Sequence, residues 1–127
     1  LVNRTSLDSG RALEIYGECF RYTENHPRDV AMHKYILVKY AQVLLDAEMY
    51  ERVIEVTAGL PQNFLAAETG ATYSGQEITF SEDDLELLLI RYRALNALAR
   101  MNGSTDRLKE AIAAGRVLVS LYARQRL

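Results

Sequence analysis

Helix breakers are scarce in this chain and fall at only a few addresses. Seven Gly and two Pro occur in 127 residues, and those that punctuate lie at His26-Pro27, at Gly59-Leu60-Pro61, between Gly70 and Gly75, and at Gly103. Both residue types are costly inside helices, and a many-stranded fold needs more of them at its turns. The distribution predicts an all-α fold of long helices. With 49% hydrophobic and 25% charged residues, the composition is that of one globular domain over residues 1–127, not of a disordered tail or a low-complexity linker.

Periodicity fills in the segments between breakers. Asp8 or Ser9 can cap a first helix whose apolar residues Ala12, Leu13, Tyr16, Cys19 and Phe20 recur at three- and four-residue steps. Pro27 ends it by biasing His26 away from helical geometry, and Asp29 then favours a new helix start. That second helix, Val30 to Leu45, is apolar almost all round, as expected of a helix flanked on several sides. The pattern breaks at Asp46-Ala47-Glu48, restarts at Met49 and Tyr50, and stops at Gly59-Leu60-Pro61, which gives an antiparallel hairpin. Residues 62–80 read as a long loop or insertion with weak extended character near Gln76 to Phe80, longer than a helical connector needs. Ser81, followed by Glu82, Asp83 and Asp84, opens a helix that is again apolar on more than one side. Asn102-Gly103-Ser104 ends it, and Ser104 or Thr105 caps the last helix, for about five in all. Gly17 and Gly115 fall inside helices, where close packing can want them.

The first hairpin resembles the tetratricopeptide repeat. Leu37, the bulky-small pair Tyr40-Ala41, and Leu44 match the first helix of that family in order and spacing, and Tyr50 matches the aromatic after the turn. The family's turn glycine is Glu48 here, and its small residue in the second helix is the larger Val53. Arg11 to Tyr16 is similar to the second helix of a preceding repeat, and Tyr92 to Ala97 with Lys109 to Ile112 to another pair. The resemblance implies helical hairpins stacked as a superhelix and cut from a longer array; a non-repeat helical bundle is the alternative fold. It also implies a groove lined by the first helices of successive repeats. The positions carried over are Tyr35, Val38, Gln42, Leu45 and Asp46 from the first hairpin, and Leu88, Arg91, Leu95 and Leu98 from the second. Where tetratricopeptide domains that clamp a terminal carboxylate use Lys and Asn, Val38 and Gln42 stand here, so an apolar groove for a partner peptide or helix is expected instead.

Residues that could carry chemistry are few. Cys19 lies on an apolar stripe, so a Cys-His nucleophile with His26 or His33 is the lesser reading beside a buried structural cysteine. One Cys and two His without metal-ligand spacing predict no metal site, and no cofactor is expected. Glu82, Asp83, Asp84 and Glu86 are better explained by a helix start than by an acid-base pair. Asn3-Arg4-Thr5 is a glycosylation-like triplet of the kind that arises by chance. No apolar run reaches the length of a membrane span, and a single cysteine suits an intracellular, cytoplasmic setting.

Charge is distributed unevenly. The net charge is −2, yet residues 1–87 carry 7 basic and 15 acidic side chains while residues 88–127 carry 8 basic and 2 acidic. That asymmetry favours an acidic partner at the C-terminal part or head-to-tail self-association. The expected function is a non-catalytic scaffold module that binds a protein or peptide partner or stacks within an assembly. Nucleic-acid (RNA) binding through the Arg-rich C-terminal helices is the alternative, and a small enzyme with 62–80 as a lid is the third.

Overall fold

The structure, a computed structural model, describes residues 2–25, 30–58 and 82–125. Those residues form five helices and no strand: α1 (Val2–Glu24), α2 (Val30–Asp46), α3 (Tyr50–Thr57), α4 (Glu82–Asn102) and α5 (Thr105–Gln125). The all-α class is thus observed. The expected terminators His26-Pro27 and Gly59-Leu60-Pro61, the Ser81 cap and the 62–80 loop lie outside the described residues.

Helix ends follow local chemistry, with one correction. α1 begins at Val2, ahead of the Asp8 or Ser9 expected to cap it. Such residues are only mildly unfavourable inside a helix, and nothing between Val2 and Ser9 breaks one. Glu82, Asp83 and Asp84 occupy the first turn of α4, where the helix dipole favours them. At the start of α5 the Arg107 N–H donates to Ser104 Oγ at 3.3 Å, so Ser104 is the cap.

Both hairpin turns pass through a left-handed residue two positions before the next helix. In the α2–α3 turn it is Glu48 at φ 60°, and in the α4–α5 turn it is Gly103, also at φ 60°. Around Glu48 the Met49 N–H reaches Leu44 O at 2.9 Å and the Glu48 N–H reaches Leu45 O at 3.0 Å, a Schellman closure that satisfies carbonyls at the end of α2. Met49 has no side chain able to cap α3, so the backbone closure holds this turn. An L-residue in the left-handed region costs about 1–2 kcal/mol, and glycine avoids it at the expense of unfolded-state entropy. Glu48→Gly is therefore expected to stabilise the fold by about 1 kcal/mol and Gly103→Ala to destabilise it by about as much. Urea midpoints that shifted in the same direction for both variants would contradict this.

Packing runs from neighbour to neighbour. α1 lies along α2; α2 touches α3 and α4; α3 touches α4; and α5 lies along α4. The backbones of α1 and α5 do not approach one another. α4 is the central element, with nine buried residues: Asp84, Leu85, Leu87, Leu88, Ile90, Ala94, Leu95, Leu98 and Ala99. A continuous core extends from Phe20 through Ile36, Leu44 and Val53 to Leu87, Leu118 and Leu121. Each fully buried leucine contributes about 1.5–3 kcal/mol, so this core carries most of the stability.

Of the three helical glycines, Gly10 of α1 faces open space, whereas Gly17 and Gly115 each lie beside a tyrosine ring. Tyr40 of α2 lies over Gly17 of α1, 3.6 Å from where a Cβ would be, and its ring centroid is 5.4 Å from that of Phe20. Tyr92 of α4 stands nearer still to Gly115 of α5, 3.2 Å from the position of a Cβ there. The close packing expected of Gly17 and Gly115 is found at Gly115; at Gly17 the 3.6 Å separation is ordinary van der Waals contact, which a Cβ would meet without crowding.

Candidate functional site

Several polar side chains that could be read as functional are committed to the fold. Arg91 reaches from α4 to the C-terminal end of α3, donating through one guanidinium nitrogen to Ile54 O at 3.1 Å and Thr57 Oγ1 at 3.0 Å. The cation there complements the free carbonyls and negative dipole end of α3. Lys34 Nζ of α2 lies 3.0 Å from Asp84 Oδ1 of α4, whose side chain is only 7% exposed. Arg107 bridges Glu51 of α3 at 3.0 Å and Glu110 at 2.9 Å. His33 is stacked on Phe20 at 5.4 Å and hydrogen-bonded through Nδ1 to Thr23 Oγ1 at 2.9 Å. Because the Thr23 hydroxyl gives its one hydrogen to Phe20 O, His33 Nδ1 is the donor in that bond. Glu55 first, and then Tyr40, hydrogen-bond Arg52 and raise its guanidinium above an already high ordinary value.

The expected groove residues divide between surface and core. Tyr35, Gln42 and Asp46 lie on one solvent-facing stripe of α2 together with Lys39, and Leu45 is half-buried beside them. Lys39 Nζ stands 5.6 Å from the Tyr35 ring centroid, and Gln42 Nε2 donates to Asp46 Oδ1 at 2.9 Å. Val38, Leu88, Leu95 and Leu98 are buried, and Arg91 is turned to α3. These five therefore do not line an open groove. The solvent-facing stripe of α4 is instead Glu82, Glu86, Leu89, Arg93, Asn96 and Arg100, spaced by three and four residues.

Two recesses flank that stripe and meet at Asn96. One is a trough of about 700 Å³ between α4 and α5, bordered by Leu89, Tyr92, Leu108, Ile112, Val119 and Tyr122, with Arg116 its one charged lining residue. The other, of about 440 Å³, lies between α4 and the α2–α3 turn and is lined by Glu48, Tyr50, Arg93, Asn96, Ala97, Arg100 and Met101. Arg93, Arg100 and Arg116 have no hydrogen bond or ion pair among the described residues.

The trough exists because α5 has two apolar faces. Ala111, Ala114, Leu118 and Leu121 are buried against α4, whereas Leu108, Ile112, Val119 and Tyr122 remain 42–71% exposed. With Gly115 the exposed set follows a four-three-four-three spacing, which is that of a helix-helix seam. The sequence pattern merges the two faces into one broad stripe; separating the spacings distinguishes them.

Among the described residues no group of three or more His, Cys, Asp or Glu is placed to hold a metal ion, and no helix is long and apolar enough to cross a membrane. The chain matches no protein-family model, no curated protein and no solved structure.

Proposed function

We propose that this chain is a non-catalytic helical-repeat module, stacked in the manner of tetratricopeptide hairpins, that binds a protein partner in an intracellular, cytoplasmic setting. The observation that carries the reading is the second apolar seam of α5, which leaves four large side chains in solvent at helix-packing spacing. The shared left-handed turns and the neighbour-to-neighbour packing support the repeat architecture, because a closed bundle brings its first and last helices together. Commitment of Arg107 to Glu51 and Glu110 weakens the case for nucleic acid, since that guanidinium already serves the fold.

Chemical cross-linking of the purified chain in cell extract tests the module. A discrete protein adduct is expected, and Ile112→Asp is expected to remove it while far-UV circular dichroism stays unchanged. Persistence of the adduct in that variant, or binding of oligonucleotides alone with a steep salt dependence, would overturn the assignment.

A further inference from the structure

We infer that the α4–α5 trough and the basic cleft beside it form one docking surface for an amphipathic helix with an acidic polar flank. The inference rests on the protein-binding reading and gives it a surface and a ligand chemistry. From Leu108 to Tyr122 the seam covers fifteen residues of helix, or about 21 Å end to end, so a guest helix of about fifteen residues lies along it. Its apolar stripe meets Leu89, Ile112, Val119 and Tyr122, as in other helix-in-groove contacts.

Charge selects the guest's polar flank. Arg116 is the charged residue within the trough; in the cleft Arg93 and Arg100, against the single acid Glu48, stand seven residues apart on α4, about 10 Å along its axis, without partners among the described residues. Carboxylates at matching intervals on the guest supply those partners. Glu82 and Glu86, at the other end of the same α4 stripe, set the direction: a guest laid in reverse brings its acids against them. A nucleic acid leaves the apolar trough unused. A second copy docking through its own α5 sets the Arg116 side of one seam against the same basic side of the other.

Two fluorescein-labelled synthetic peptides of about sixteen residues test this, both with Leu at seam positions, one with Glu on the flank and one with Lys in its place. Anisotropy titrations with the intact chain at low salt are expected to show micromolar binding of the Glu peptide and about tenfold or more weaker binding of the Lys peptide. Arg93→Glu with Arg100→Glu is expected to invert the preference, and Val119→Asp to abolish binding of both with helicity retained. Equal binding of the two peptides, an unchanged preference in the charge-reversed variant, or no binding of either overturns the inference. So does a stable dimer by light scattering that Ile112→Asp dissociates, because the seam is then occupied by a second copy. If the cross-linked adduct is lost in Ile112→Asp and yet neither peptide binds, the module assignment stands and this ligand chemistry falls. Loss of both outcomes removes the two together.

Discussion

Arg91→Ala is expected to lower stability by about 2–3 kcal/mol and to release α3 before the rest of the fold. Hydrogen bonds from a charged donor contribute about 1.5–3 kcal/mol, and here one guanidinium nitrogen serves both Ile54 O and Thr57 Oγ1. Thr57 is fully buried, and its hydroxyl donates to Val53 O at 2.7 Å, so the arginine completes a closed set of partners at the end of α3. At eight residues α3 is too short to persist by itself and depends on what it packs against. Hydrogen exchange should therefore accelerate first at the α3 amides. Arg91→Lys should recover part of the loss, since an ammonium can reach one acceptor but lacks the planar fork. Uniform acceleration across all five helices would show that Arg91 supports the whole core and not this junction.

A loss of about 2–3 kcal/mol is likewise expected for Lys34→Ala, for a different reason. Removing the lysine breaks its 3.0 Å ion pair with the buried Asp84 carboxylate, and breaking a buried pair costs about 3–5 kcal/mol when both partners are enclosed. Lys34 is one-third exposed, which places the expected value at or below the low end of that range. Replacing both partners by apolar residues, Lys34→Met with Asp84→Leu, should return stability to within about 1 kcal/mol of the parent, because the buried charge is removed together with its counter-charge. The remaining deficit reflects the lost acid in the first turn of α4, where it favours the dipole. A double variant as unstable as Lys34→Ala alone would place the cost in packing and not in the broken ion pair. Thermal or urea unfolding of the parent, Lys34→Met, Asp84→Leu and the double variant gives the coupling directly.

Element order and most boundaries were legible in the sequence because local chemistry decides them. The Asp46-Ala47-Glu48 break, the acidic start of α4 and the Ser104 cap each depend on residues within one turn of themselves. The start of α1 was not legible, since Asp8-Ser9 can cap a helix or sit within one at little cost. The site was harder still. On α2, Tyr35, Gln42 and Asp46 came only from the register of the repeat resemblance, since the helix reads as apolar almost all round; Lys39, Gln42 and Asp46 are the polar signal that marks the exposed side. On α4 the apolar residues from Leu85 to Leu98 surround most of the axis, so hydrophobic period alone does not choose an outward face. Register carried over from the repeat pattern put Leu88, Arg91 and Leu95 in the groove. The polar trio Arg93, Asn96 and Arg100 is the signal that identifies the outward side. Glu48 shows the converse: no glycine marks this turn in the sequence, yet Glu48 adopts the left-handed conformation.

Neighbour-to-neighbour packing makes the chain unequally tolerant of sequence drift. Among the described residues, a side chain altered in α4 is felt by α2, α3 and α5, whereas one altered in α1 is felt by α2 alone. Ile15, on the outer side of α1, is more than half exposed. Selection for folding therefore acts most strongly on the middle of the stack and relaxes toward α1. A distant relative would keep the spacing of Leu85, Leu88, Ala94, Leu95 and Leu98 long after its first helix had become unrecognisable.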